Sequence, residues 1–548
     1  MSHLISIRAN VVNIASRQIF PAEVQISKGK IATIQPAEAA TCKYFLMPGF
    51  VDAHVHIESS MLVPAQFARL AVLHGTVATI SDPHEIANVT GIEGVRYMVR
   101  NGNSVPFKFY FGVPSCVPAT TFETAGAAIG SEQVKELFET DNLKYLAEMM
   151  NWPGVLHNHQ EVIEKINIAK KLGKPIDGHA PGLRGEQAKQ YAAAGISTDH
   201  ECFTAEEALD KLAAGMKIII REGSAAKNFN ALAPLLHDHW QHMMLCSDDK
   251  HPDSLLEGHI NQLAARAVAM GIDVFKVLTA ACLNPIHHYG LDVGQLRIGD
   301  PADFIMVEDL THFKVLQTWI NGELVAENGH SFIKAPMVEK QNHFNARPIS
   351  PESLQIRATS DTVRAIKALD GELITYQETF AATVVNELAI ADPGKDLLKI
   401  AVINRYSNAA PAVGFVRGFG LQQGAIASSI AHDSHNIVAV GTHDDLLCKA
   451  INAIIDAKGG IAACSRADIR LLPLPIAGLM SADDAYQVAH AYQDIDAFAK
   501  RLCAPHPSPL QAPFMTLSFM ALLVIPSLKM SDLGLFDGHK FEFTQVFH

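Results

Sequence analysis

Several protein classes are excluded by what this sequence lacks. It has no excess of basic charge: 57 Asp and Glu against 44 Lys and Arg give a formal net charge of −13, which argues against nucleic acid or an anionic membrane surface as a partner. No uninterrupted apolar run is long enough to span a bilayer. The most apolar stretch, 514–525, is short, lies between Pro513 and Pro526, and reads as core. The chain opens directly on a strand pattern, without a basic n-region and apolar h-region, so a cytoplasmic location is expected. Its eight cysteines include no Cys-x-x-Cys pair. That spacing supports neither a zinc knuckle nor a disulfide frame and implies reduced, buried thiols. Repeats and low-complexity tracts are absent as well.

What is present is a long globular chain. At 548 residues, 48% hydrophobic and 18% charged, it is too large for one core and divides into two or three domains. Residues 1–45 alternate in short apolar runs and form a small β unit. From 46 to 297 apolar runs alternate with helical periodicity. The runs are 49–53, 76–81, 107–113, 144–150, 175–178, 196–199, 217–221 and 243–247. Eight strands interleaved with helices over about 250 residues predict a (β/α)8 barrel. Residues 298–335 return to short strands, with Asn321-Gly322 as a hairpin turn. The predicted architecture is α/β: the barrel, 46–297, is inserted in a small β-sandwich built from both of its flanks, 1–45 and 298–335. After a polar linker, a C-terminal α/β domain is expected over 345–548.

The polar residues fall at the ends of these strands. His54 and His56 close the first; side chains two apart on a strand share a face. Asp82-Pro83-His84-Glu85 closes the second, Ser115 follows the third, and Glu148 ends the fourth. His179 closes the fifth, His200-Glu201 the sixth, Arg221-Glu222-Gly223-Ser224 the seventh and Ser247-Asp248-Asp249 the eighth. Barrel enzymes build their sites on this face. Four imidazoles and two carboxylates suffice for two divalent ions: His54, His56 and Asp248 on one, His179 and His200 on the other, Glu148 bridging. A donor set of imidazole and carboxylate without thiolate tolerates Mn²⁺, Fe²⁺ or Zn²⁺. Asp248 is placed to take a proton from water, with a ligand-only or capping role as the other reading. Glu201 either protonates a ring nitrogen or orients His200. His84 and Glu85 either start a helix or act in catalysis. His432 and His435, in Ala431-His432-Asp433-Ser434-His435-Asn436, read first as a structural pair of the C-terminal domain, with metal binding or cover of the site as the alternative.

These residues carry a resemblance. Pro48-Gly49-Phe50-Val51-Asp52-Ala53-His54-Val55-His56 resembles the opening signature of the amidohydrolase superfamily, and Leu296-x-x-Gly299-x-Pro301-Ala302-Asp303-Phe304 resembles that superfamily's exit from the barrel. Asp82-Pro83-His84-Glu85-Ile86-Ala87-Asn88, Asp177-Gly178-His179-Ala180-Pro181, Asp199-His200-Glu201 and Ser247-Asp248-Asp249 are similar to the bacterial adenine deaminases within it. The resemblance implies hydrolytic conversion of adenine to hypoxanthine and ammonia, purine salvage and two transition-metal ions, usually manganese or iron; a homo-oligomer is expected. The resemblance also implies protonation of the ring by Glu201 or Glu85. The seventh-strand position of Arg221, Glu222 and Ser224 suggests contact with purine edges, with a loop-stabilising network as the other reading, and Ser115 is expected to contact substrate as well. The rival is another amidohydrolase, cleaving a cyclic amide or deaminating a different nucleobase. Cyclic-amide enzymes commonly bridge their metals with a carboxylated lysine on the fourth strand, and Lys144 lies at that strand's start. A catalytically silent barrel scaffold is the reading from outside enzymology.

Overall fold

The strands that carry the rim residues come together in a computed structural model describing residues 4–548. The chain opens with β1 (Ile5–Asn13), β2 (Gln18–Ser27), β3 (Lys30–Pro36) and β4 (Phe45–Pro48). The barrel strands follow: β5 (Phe50–Val55), β6 (Thr76–Ser81), β7 (Lys108–Phe111), β8 (Leu146–Met149), β9 (Ile176–Gly178), β10 (Thr198–Asp199), β11 (Lys217–Arg221) and β12 (Met243–Cys246). All their registered pairs are parallel. Between β7 and β8 the ring continues through a Val113–Leu146 bridge. Between β9 and β10 the Ser197 amide donates to the Ile176 carbonyl at 2.8 Å. It closes where the Asp248 amide donates to the His54 carbonyl at 3.0 Å.

Parallel strands need both faces covered, and every residue of β5, β6, β8 and β12 is buried. The covering helices show the matching period. In Gln160–Lys171, Val162, Ile166 and Ala169 are buried on one stripe. Glu161 begins that helix and Lys170 and Lys171 end it, each suited to the dipole at its end.

The flanks of the barrel meet in one eight-stranded sheet. It adds β13 (Phe304–Val307), β14 (Val315–Ile320), β15 (Glu323–Glu327) and β16 (His330–Ser331), in the order β16-β15-β14-β13-β4-β1-β2-β3. β4 is the seam, parallel to β1 and antiparallel to β13. Asn321 and Gly322 take φ of 50° and 76° in the two-residue β14–β15 turn, the paired positive angles of a type I′ hairpin.

A second eight-stranded sheet organises the C-terminal part. Its alternation explains how that part docks. Ala401, Ile403, Ala425, Ala427 and Ala439 pack under the helix Asp444–Ala457, with Leu447, Ile451 and Ile454. Ile400, Val402, Ile426, Val438 and Val440 face the other way and share a continuous apolar core with the barrel. Polar contacts pin the junction. Arg69 Nη1 donates to Asp484 Oδ2 at 2.7 Å, Ser434 Oγ to Glu123 Oε2 at 2.7 Å, and Asn436 Nδ2 to the Thr124 carbonyl at 2.9 Å. All eight cysteines are free and buried, and among the described residues no helix is long and apolar enough to cross a membrane.

Glu123 makes this junction pH-dependent. Burial, aided by the nearby Asp433 carboxylate, pushes its carboxyl from 4.5 up to about 8. The folded state therefore holds a proton there that the unfolded chain has lost. The associated stability is complete below pH 4.5 and disappears as pH rises through about 8. Thermal midpoints measured from pH 5 to 9 should fall more steeply for the wild type than for Glu123→Gln; parallel curves would contradict this assignment.

Candidate metal centre and its pocket

Glu148, on β8, is the hub of the rim. Its Oε2 lies 3.0 Å from His179 Nδ1, 3.1 Å from His200 Nε2 and 3.7 Å from His54 Nε2. Its Oε1 lies 3.6 Å from His56 Nε2 and 3.5 Å from His84 Nδ1. Asp248 Oδ1 sits 3.5 Å from His54 Nε2 and 3.4 Å from His56 Nε2. The two imidazole nitrogens of His54 and His56 face each other at 3.1 Å, and the His54 and His200 rings stack at 4.1 Å between centroids. Burial, then the neighbouring His200 and His56, hold His54 well below its usual range. Burial acts against the charged forms of Glu148 and Asp248 as well. His179 and its neighbours nevertheless hold Glu148 well below the carboxylate range, and Arg221 does the same for Asp248.

This donor set fits divalent ions. Ligands each about 2.0–2.2 Å from one ion stand roughly 3–3.6 Å apart, close to the separations found here. His54, His56 and Asp248 bring ligand atoms within 4.8 Å of one another, as do His54, Glu148 and His200, and His179, His200 and Glu201. His56, Asp82, His84 and Glu148 form a further such group. Asp82 Oδ2 and His84 Nδ1, 3.2 Å apart, are buried and without a hydrogen-bond partner.

A deeper layer fixes the tip of β12. Asp52, two residues before His54 on the same face, accepts from the Ser247 amide at 3.0 Å, from the Ser247 hydroxyl and from His259 Nε2 at 2.8 Å. Thr76 Oγ1 holds the other nitrogen of His259 at 2.6 Å. Asp248 follows at φ 53°, a left-handed conformation that costs a non-glycine residue about 1–3 kcal/mol and persists where its surroundings enforce it. Arg221, at the end of β11, ties two rim acids together. Nη2 donates to Glu201 Oε2 at 2.9 Å, and Nη1 donates to Glu201 Oε1 and, at 3.0 Å, to Asp248 Oδ2.

Three residues expected to contact substrate are turned elsewhere. Glu222 follows Arg221, so the strand alternation points it outward, where it pairs with Arg266 at 2.5 Å. Ser224 Oγ accepts from the His251 amide at 2.9 Å and lies 3.2 Å from Ser254 Oγ. Ser115 Oγ donates to the Glu148 carbonyl at 2.6 Å, bracing the strand beneath the hub. None of the three lines the pocket. Lys144 stands ahead of β8 with Nζ 5.8 Å from the centre of the Tyr110 ring, and Glu148 occupies the hub position.

The pocket above the rim is small and opens between the barrel and the C-terminal domain. The barrel supplies its polar floor, with His56, Glu85, Glu201 and Arg221 among the lining residues. The C-terminal domain supplies Leu373, Phe519 and Leu522, together with His432 and Asp433. For His432 and His435 the geometry favours cover of the site, the second of the two roles the sequence allows. The 514–525 run, read as core, donates Phe519 and Leu522. His432 and His435, read as a structural pair of their own domain, reach across to the barrel: His432 Nδ1 lies 2.5 Å from Glu85 Oε1, and His435 Nε2 bonds Glu85 Oε2. Beneath that apolar wall lies Lys529, buried and unpaired with any acid. Its Nζ donates to the carbonyls of Leu373 at 2.6 Å and Phe519 at 2.9 Å, and burial lowers its pKa to about 7.

Comparison with known proteins agrees with this division. Residues 45–325 match the model of the amidohydrolase family, and residues 372–542 that of the adenine deaminase C-terminal domain. The chain is 53% identical to an adenine deaminase of Salinibacter ruber, with 99% of each chain covered. It is 55% identical to that of a Sulfurovum species, with 98% of each covered, and 47% identical to that of Borreliella burgdorferi, with 99% of each covered.

Arg221→Met would strand the buried carboxylates of Glu201 and Asp248, and removing one partner of a buried pair costs about 3–5 kcal/mol. The unfolding midpoint of chelator-treated protein should drop well below that of the wild type. An unchanged midpoint would show that Arg221 is not what holds these acids.

Proposed function

The chain belongs to the adenine deaminase family of amidohydrolases, and from that membership we propose that it hydrolyses adenine to hypoxanthine and ammonia in the pocket above Glu148. The observation that carries this reading is the hub itself: one buried carboxylate whose two oxygens face different imidazoles, beside Asp248 and under a small, apolar-walled opening. His54, His56 and Asp248 would hold one ion and His179 and His200 a second, with Glu148 shared. Manganese is favoured, and iron and zinc suit the same donors. Bound there, such ions would supply an acidified water, its pKa lowered from 15.7 towards about 7.

The chain's own groups then divide the work. Asp248 takes a proton from the attacking water and returns it to the departing amine. Arg221 engages Asp248 Oδ2, which leaves Oδ1 directed at the His54–His56 pair. Asp52, through Ser247, keeps that carboxylate in place. His84, 3.5 Å from Glu148 Oε1, orients the hub. Glu201 and Glu85 stand on the wall as the acids nearest a bound ring. Each is engaged at both oxygens, Glu201 by Arg221 and Glu85 by the two C-terminal histidines, so each serves as an acceptor that aligns its partner. Freeing ammonia from a nucleobase places the activity in purine salvage. A cyclic-amide hydrolase bridged by a carboxylated lysine is disfavoured because Glu148, not Lys144, stands among the rim histidines.

Asp248→Asn should lower ammonia release from adenine by about 10²–10⁴-fold, the typical contribution of a positioned proton acceptor. Wild-type turnover in that variant would remove Asp248 from the reaction. Chelation should abolish ammonia release, and added Mn²⁺ should restore it. A chelated protein that remains fully active would rule out a metal-dependent reaction.

A further inference from the structure

We infer that His432, contributed by the C-terminal domain, presents its free Nε2 to a ring nitrogen of the bound purine and is therefore a substrate-contacting residue of a site otherwise built by the barrel. The inference rests on the adenine reading above and extends it to a group outside the barrel.

His432 lines the pocket and is only 3% exposed. One of its nitrogens is spent: Nδ1 lies 2.5 Å from Glu85 Oε1. The other, Nε2, is buried without any hydrogen-bond partner. Buried polar atoms left unpaired are uncommon and cost about 1–3 kcal/mol, so an unpaired nitrogen on the wall of a binding pocket calls for a ligand.

Its direction is fixed from three sides. The Glu85 carboxylate engages Nδ1 and so decides which nitrogen is free. His435 Nε2 engages the second oxygen of Glu85, and His435 Nδ1 in turn accepts from the Ala431 amide at 3.2 Å. The Phe519 ring lies against the His432 ring, with centroids 5.5 Å apart and planes 30° apart. A clamp of this kind sets the orientation of one imidazole, as a carboxylate does for a catalytic histidine.

The charge at the site suits a donor. Although burial opposes it, the facing carboxylates of Glu85, Asp249 and Asp433 raise His432 to about 9, so Nε2 carries hydrogen near neutral pH. The ring nitrogens of adenine are acceptors, and Leu373, Phe519 and Leu522 offer the apolar surface its faces need. The terminal nitrogens of Arg221 are already occupied by Glu201 and Asp248, so they do not compete for the ring.

The test compares wild-type and His432→Gln full-length, Mn²⁺-loaded protein. It measures kcat/KM for adenine and competitive inhibition by 1-deaza-, 3-deaza- and 7-deazaadenine, each lacking one ring nitrogen. A hydrogen bond from a charged donor contributes about 1.5–3 kcal/mol, so the variant should lose roughly 10–150-fold towards adenine. For one deaza compound the two proteins should bind alike, because that compound has already lost the bond. An equal penalty for all four ligands means a merely structural histidine and overturns the inference, as does no penalty at all. Loss of a metal equivalent in the variant, with uniform weakening, overturns it as well. Should the variant not fold, a crystal structure of the wild type with an unreactive purine decides. Nε2 within about 2.7–3.2 Å of a ring nitrogen supports the inference, and a separation beyond about 4 Å overturns it. A wild type that releases no ammonia from adenine sinks the function reading itself, whereas undiminished activity of His432→Gln sinks this inference alone.

Discussion

Glu148 is buried where His54, His56, His179 and His200 converge, and the cost of burying that charge organises much of what surrounds it. An isolated carboxylate in a protein interior costs several kcal/mol unless it is paired. Here the compensation comes from imidazoles at the ends of β5, β9 and β10, the first of which lies far ahead of the other two in the chain. The barrel is what makes this affordable in geometry: parallel strands end on one rim, so short side chains from distant segments meet without any long loop having to reach. The same arithmetic repeats around the hub. Arg221 pairs with Glu201 and Asp248, His259 with Asp52, and Lys211 donates to Glu207 at 2.9 Å and to the Ala180 carbonyl at 2.7 Å. The acids of the rim are thus held by neighbours that also set their direction.

The C-terminal domain completes the site from above. Its sheet turns one face of alternating residues to its own helix and the other to the barrel core, which fixes the two parts against each other through apolar packing. From that fixed position it places an apolar wall and two histidines over the rim. Lys529 joins the two strips of backbone that carry Leu373 and Phe519, so one buried amine braces two parts of that wall. The pocket thus has a polar rim below and an apolar, histidine-bearing cover above.

How much of this was legible in the sequence depended on the range of the interaction. The barrel and a separate C-terminal part could be read because strand alternation and helical period are local. The rim could be read because its polar residues stand at or next to the C-terminal ends of apolar runs, as His54 does in β5. Residues next to that signal were misjudged by parity or by a single step: Glu222 sits one position past Arg221 and faces away, and Ser115 braces the Glu148 backbone. Asp52 lies inside the His54–His56 signature, but its pairing with His259 spans 207 residues and no local signal shows it. His432 and Glu85 meet across 347 residues. Two histidines three apart allow cover of the site as one reading, but nothing local names Glu85 as their partner. The apolar run 514–525 carried no cue separating a pocket wall from core, since both bury the same side chains.

The central claim is that strands from across the chain build one two-ion centre around Glu148. Anomalous diffraction from crystals of the Mn²⁺-loaded protein tests it most directly. Two manganese peaks flanking the Glu148 carboxylate, one beside His54, His56 and Asp248 and the other beside His179 and His200, are the predicted result. Manganese bound elsewhere, with no peak in contact with Glu148, would contradict it.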